Sequence, residues 1–410
     1  MVLVILLLWK PRTTPRATGP LAHEAYVWHR AWTGPVQQSI AEHGTTFARL
    51  VVLAAEVSWA NREPRVMRVA LDHAALRSVT PIGLALRIGP YAGPFGRDER
   101  LTRWLADLSS SLVAEVRTNG LPVAELQIDF DCAESKLDGY RVWVDAIRQR
   151  VAPVPVTVTT LPAWLDRRAF KHLIAATDGY VLQVHSLERP KSAAAPFALC
   201  DPALARKWVE RASRFGVPFR VALPTYGYQV AFDATGRFAG ISAEGPALSW
   251  SEGVQLHEVS ADPGAMATVV QAWVADRPTA LQGVIWYRLP VAGERLNWRW
   301  STLSEVIAGR TPRSELSVRV RHPQPALVEI ELSNMGTADA TPTNPVTVRW
   351  RDATLVACDG LIGFEPVERG GEAVEFRSRA GLRLAPGERR IIGWLRLDHE
   401  TEVQVDLSTK

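Results

Sequence analysis

Along the first 300 residues one unit recurs: a short apolar run, a loop carrying polar or aromatic residues, then a segment with apolar residues at helical spacing. Leu50-Val51-Val52-Leu53 is continuous, as in a strand buried on both faces. Between Asp98 and Arg117, by contrast, Leu101, Trp104, Leu105, Leu108, Leu112 and Val116 trace one face of a helix, which Asn119-Gly120 stops. The pattern predicts strands over residues 25–33, 48–56, 82–88, from 125 onward, 154–161, 179–184, 219–223 and 283–287. It predicts helices over 35–43, 72–78, 98–117, 137–151, 166–176, 202–215, 263–274 and 302–307. Asp201 reads as an N-cap with Pro202 at the first helical position. Residues 229–260 interrupt the rhythm and read as a hairpin insertion.

Eight strand-then-helix units imply a parallel sheet, and at this length a (β/α)8 barrel with its site at the C-terminal strand ends. An open doubly wound sheet is the alternative, but it carries a glycine-rich phosphate loop after its first strand. Trp28-His29-Arg30-Ala31-Trp32 is nothing like one. After Pro312 the period changes to two. Leu316, Val318 and Val320, then Val328, Ile330 and Leu332, then Val346 and Val348, then Val403, Val405 and Leu407 alternate with polar residues. The fold expected is therefore a TIM barrel over residues 21–310, followed over 313–410 by a small all-β sandwich of immunoglobulin-like type.

Charge and composition narrow the partners. A net charge of +4 over 410 residues, with the signs interspersed, offers no basic, aromatic-laced run for nucleic acid. Three widely separated cysteines make neither a metal motif nor a disulfide framework, so neither a metal nor another cofactor is expected. Residues 1–8 are apolar but too few to span a bilayer, and no basic leader precedes them. We read residues 1–20 as a leader and tether, and expect a periplasmic or secreted protein with no stable membrane span. The fifteen tryptophans suit either a dense core or the faces of sugar rings.

Candidate chemistry concentrates on Ile128-Asp129-Phe130-Asp131-Cys132-Ala133-Glu134. On a strand Asp129 and Asp131 face the same side, and two inward carboxylates are costly unless they share a proton, hold a cation or do chemistry. Two acids alone make a poor cage for Mg²⁺ or Ca²⁺. The expected catalytic set is Asp131, Asp129, Glu134 and Glu56. Near the other strand ends, Trp28, Arg87, His185, Tyr226, Trp286 and Tyr287 are the expected substrate contacts. Each has a plainer reading: Asp129 as a buried acid bonded to Ser or Thr of strands three and five, Glu134 as solvated loop, His185 as a structural histidine, Trp286 and Tyr226 as packing. Glycoside cleavage by paired carboxyls needs them about 5–5.5 Å apart for retention or ~6.5–9.5 Å for inversion.

The Asp129-to-Asp131 stretch resembles the fourth strand of family-18 chitinases, which ends in an Asp-x-Asp-x-Glu pattern. Pro218 to Gly227 is similar to their seventh strand, and Gly283-Val284-Ile285-Trp286 to their eighth, which carries a tryptophan under the sugar. The barrel as a whole resembles the bacterial family described as domain of unknown function 3142. The resemblance implies a (β/α)8 barrel, a carbohydrate ligand and carboxylate acid/base chemistry in which the substrate's acetamido group is the nucleophile. The sequence departs from the pattern at one point: Ala133 stands where those enzymes carry their acid, and the nearest glutamate is Glu134. The readings that follow are a glycoside hydrolase-like protein, a glycan-binding barrel that lost its acid, or a barrel enzyme with other chemistry.

Overall fold

The computed structural model describes residues 14–60, 63–79, 81–186, 190, 192–193, 197–242, 250, 253–379 and 382–407. Most of the expected leader, residues 1–13, lies outside them. Eight parallel strands form the frame: β1 (Ala22–Val27), β2 (Arg49–Ala60), β3 (Ile82–Ile88), β4 (Val123–Phe130), β5 (Val156–Thr160), β6 (Tyr180–Gln183), β7 (Phe219–Pro224) and β8 (Leu281–Tyr287). Each pairs with its sequence neighbour, and β8 pairs with β1, so the sheet closes. Closure removes every strand edge, and the strands carry apolar runs because core lies on both faces.

The helices are α1 (Gly34–His43), α2 (His73–Leu76), α3 (Arg100–Thr118), α4 (Leu137–Val151), α5 (Arg168–Ala175), α6 (Pro202–Ser213), α7 (Pro263–Ala275) and α8 (Trp300–Ile307). Asp201 caps α6 by accepting the amides of Ala203 and Leu204 at 2.8 and 3.0 Å. Asp72 caps α2 in the same way. The stripe of α3 that the sequence marked buries Leu105, Leu108, Leu112 and Val116. Among the described residues no helix is long and apolar enough to cross a membrane.

Inside the barrel, alternation sorts the side chains into layers. The base is polar: Arg220 donates from both terminal nitrogens to Glu125 at 2.8 Å and also to Glu24. Arg49 lies 3.2 Å from Glu125, and Thr157 donates to it at 3.2 Å. Gly83 leaves room for this network, since a Cβ there would come within 3.1 Å of the Glu125 side chain. The middle is apolar, with Tyr26, Val51, Ala85, Val181, Ala222 and Ile285 packed together. The upper layer is polar again and opens at the C-terminal strand ends.

Two elements depart from expectation. Strand β2 continues past Glu56 to Ala60 and turns into an antiparallel partner, Glu63–Arg68. That partner is polar and carries Pro64, tolerable only at an edge, so its sequence reads as loop. The insertion is three-stranded (Gly227–Phe232, Phe238–Ser242, Gln255–Ser260) rather than a simple hairpin.

Contacts divide the chain into two compact units, residues 1–297 and 298–410. The second holds α8 and two antiparallel four-stranded sheets. One runs Leu316–Gln324, Leu327–Asn334, Arg389–Leu397, Leu355–Gly360; the other Phe364–Glu368, Ala373–Ser378, Val346–Trp350, Val403–Leu407. Ile330, Leu332 and Leu395 of the first share a core with Val346, Val348 and Phe376 of the second, as in a sandwich.

Candidate functional site

At the C-terminal ends of the barrel strands lies a cavity of about 210 Å³. Tyr26 and Trp28 come to it from β1, Arg87 from β3, Asp129 and Asp131 from β4 and the loop just after it, and Thr159 from β5. Gln183 of β6, His185 just after it, Tyr226 just after β7 and Tyr287 of β8 complete its polar and aromatic lining, with Tyr228 and Ser186 beside them. Seven residues expected at the site from sequence therefore meet there: Asp129, Asp131, Trp28, Arg87, His185, Tyr226 and Tyr287.

The two aspartates differ in their surroundings. Asp129 is nearly covered; Thr159 of β5 donates to its Oδ1 at 2.5 Å, and the Arg87 Nε lies 4.0 Å from its Oδ2. Burial pushes its pKa up, the Thr159 bond and Arg87 pull it back, and Glu56 adds to the rise. Asp131 stands at the rim and is exposed. Desolvation by the surrounding wall, then the Asp129 charge, nevertheless push it up to about 6, against the pull of Arg87. Because the charge of one raises the other, the two carboxyls titrate as a pair. The hydroxyl bond and the guanidinium favour charge on Asp129, so the proton the pair retains belongs on Asp131.

Three expected residues are elsewhere. Glu56 is gripped by Arg30 at 2.8 and 3.1 Å and lies 3.7 Å from Arg87, off the cavity wall, so it touches the pair by charge alone. Glu134 sits in the single turn Glu134–Lys136 and is paired with Arg167, off the cavity wall. Trp286 is a correction: it is fully buried and faces away from the barrel axis. Its Nε1 donates to His23 Nδ1 at 3.1 Å, and the two rings lie 9° from parallel. Adjacent strand residues face opposite sides, so Trp286 and Tyr287 cannot both line the mouth. Tyr287 does, within 5.7 Å of Tyr26, Trp28, His185 and Tyr226, centroid to centroid.

The bend after Tyr287 is braced by Thr225, whose hydroxyl donates to Arg288 O at 2.6 Å and accepts from Arg288 N at 2.8 Å. Sequence reasoning missed Tyr26, Thr159, Gln183, Ser186 and Tyr228 as site residues at the mouth. Tyr26 had a usable signal, since it shares its strand face with Trp28. Tyr228 follows Tyr226 by two residues at the exit of β7, a signal that its place at the start of the Gly227–Phe232 strand obscures.

Residues 98–292 match the family model for a domain of unknown function, DUF3142, and residues 317–398 match a second, DUF8456. No curated protein matches the chain. Among solved structures, the spore cortex-lytic enzyme SleL of Bacillus cereus superposes with a TM-score of 0.51 at 11% identity, over 72% of this chain and 75% of that one. A chitinase of Chromobacterium violaceum gives 0.45 at 13%, over 70% and 99%. A chitinase of Bacteroides thetaiotaomicron gives 0.46 at 13%, over 66% and 90%. At 11% identity the likeness to SleL is one of fold alone. The chain thus carries the DUF3142 domain over residues 98–292, within a (β/α)8 barrel similar in fold to SleL, and the DUF8456 domain over residues 317–398 of its C-terminal sheets.

Proposed function

We propose that the barrel mouth binds a glycan and cleaves a glycosidic bond with Asp131 as proton donor and Asp129 as its charged partner. The observation that carries this reading is the pairing itself: an aspartate raised to about 6 beside a second one held by Thr159 and Arg87, under an aromatic wall. A carboxyl with that pKa still carries a usable proton near neutral pH, while an ordinary aspartate does not. In this reading Asp131 protonates the leaving glycosidic oxygen. The Asp129 carboxylate stabilises the positive charge that grows at the anomeric carbon. Trp28, Tyr226 and Tyr287 pack the sugar, and the small cavity suits one ring or a chain end.

A second reading is a barrel that binds a glycan without cleaving it. It is favoured by one observation: Ala133 stands at the acid position of the chitinase pattern, and Glu134 is tied to Arg167. The apolar run of residues 1–8 supports placing the protein outside the cytoplasm, where polymeric glycans are met; cell fractionation with a tagged chain tests that, and a cytoplasmic pool alone would contradict it. Turnover on a panel of aryl glycosides and polysaccharides, with binding measured on the same panel, separates the two readings. Cleavage supports the hydrolase, binding alone supports the second reading, and neither result on any glycan contradicts both.

A further inference from the structure

A chain of hydroxyl groups runs along one wall of the cavity and ends on a histidine. His185 Nδ1 lies 3.2 Å from the Tyr226 hydroxyl, which lies 2.9 Å from that of Tyr228, which is bonded to Ser186 Oγ. The imidazole is further fixed by two rings: Tyr226 meets it edge-on at 5.7 Å and Tyr287 lies 5.6 Å away at a 32° tilt. His185 is 3% exposed, lines the cavity, and among the described residues its Nε2 has no partner.

The chain can be protonated in two directions. If Ser186 donates to Tyr228, Tyr228 to Tyr226 and Tyr226 to Nδ1, every hydroxyl proton is used and Nδ1 is a bare acceptor. In the reverse direction Nδ1–H donates to Tyr226, and the Ser186 proton must turn to the same Tyr226 oxygen, which then accepts twice. A neutral imidazole nitrogen is also a much stronger base than a phenol oxygen, and burial helps Tyr226 keep its proton, so that proton belongs between oxygen and Nδ1. Burial keeps the ring neutral, holding its pKa down at about 3.

We infer that His185 is locked as the neutral Nε2–H tautomer by Tyr226 and the hydroxyl chain behind it, and that it offers this N–H to an acceptor oxygen of the bound sugar. Asp129 on β4 keeps its charge and offers an acceptor for a hydroxyl donor, so the cavity is polar in a defined sense. Its ligand must present an oxygen acceptor toward His185 and a donor toward Asp129. Tyr226 is then a positioning residue, acting through His185. The second half of this inference rests on the reading of the cavity as a glycan site; the first half does not.

The test separates them. Imidazole ¹⁵N resonances of His185 in the ligand-free full chain should show an unprotonated Nδ1 and a protonated Nε2, unchanged between pH 8 and pH 5. Tyr226→Phe should move the Nδ1 resonance toward the mixed-tautomer position, while Tyr228→Phe should leave it near the wild-type position, because Tyr226 still donates. If Tyr226→Phe fails to fold, the wild-type spectrum alone decides: a protonated Nδ1, or a ring that titrates above pH 5, overturns the inference. Adding chitotriose, cellotriose or maltotriose that binds should shift the Nε2–H resonance. A sugar that binds and leaves that proton unmoved overturns the donor role, whereas failure of all three to bind counts against the glycan reading and leaves the tautomer result standing.

Discussion

Arg87→Met is the sharpest probe of the aspartate pair. The guanidinium Nε lies 4.0 Å from Asp129 Oδ2 and opposes the raised pKa of both aspartates. A pair of unit charges at ~4 Å is worth about 1 kcal/mol in water and ~4 kcal/mol at an effective dielectric of 20. The Arg87 side chain is 44% exposed, so solvent screening moves the interaction toward the lower figure. A loss of roughly 1.4 kcal/mol is about one pH unit, and its sign follows from the charge: without the cation the ionised form is less stable and the proton is held to higher pH. Glu56 acts in the same direction, because its charge also raises Asp129 and it loses Arg87 as a neighbour while Arg30 still holds it. Carboxyl ¹³C shifts of labelled aspartate, followed against pH and assigned with Asp131→Asn, measure the effect. Asp131 should titrate above its wild-type value of about 6 in the variant, by less than one pH unit because the cation lies nearer Asp129. An unchanged or lowered titration would refute the electrostatic account of the pair.

Other perturbations follow from the same structure. Among the described residues, Arg220→Met leaves Arg49 as the one cation beside the buried Glu24 and Glu125 and should cost up to about 3–5 kcal/mol in chemical denaturation; a cost under ~1 kcal/mol would mean that Arg220 is dispensable to the basal network. His23 is held down to about 4 by burial, below its ordinary value, so the unfolded chain takes the proton first and stability drains as pH falls from about 6.5 toward 4. His23→Gln should flatten that pH dependence by up to about 1.4 kcal/mol per pH unit, and an equal slope in both proteins would contradict it. Glu134→Gln should leave glycan turnover or binding within about twofold, because this acid is paired with Arg167 off the cavity; a loss of ~10²-fold would restore it as the proton donor.

Much of this was legible in the residues because burial on two faces leaves long apolar runs. The span of β3 was readable to the residue, since Ile82 to Ile88 is apolar up to Arg87. So was that of α4, where Tyr140, Trp143, Val144 and Ile147 mark one face. What was lost depended on facing and on partners far away in sequence. Trp286 and Tyr287 both stand at the end of β8, and only the register decides which enters the mouth. The capture of Glu134 by Arg167, 33 residues on, leaves no local trace. The polar partner of β2 was invisible because an edge hairpin need not be apolar.

The central claim is that Asp131 supplies the proton for glycoside cleavage, and Asp131→Asn tests it with shape retained and charge removed. On any glycan the wild type cleaves, turnover should fall by about 10²-fold or more in a variant that remains folded. Because the protonated form is the active one, wild-type kcat should decline as pH rises through about 6, and this descending limb should vanish in the variant. Wild-type turnover that survives the substitution unchanged, with the same pH profile, would contradict the account.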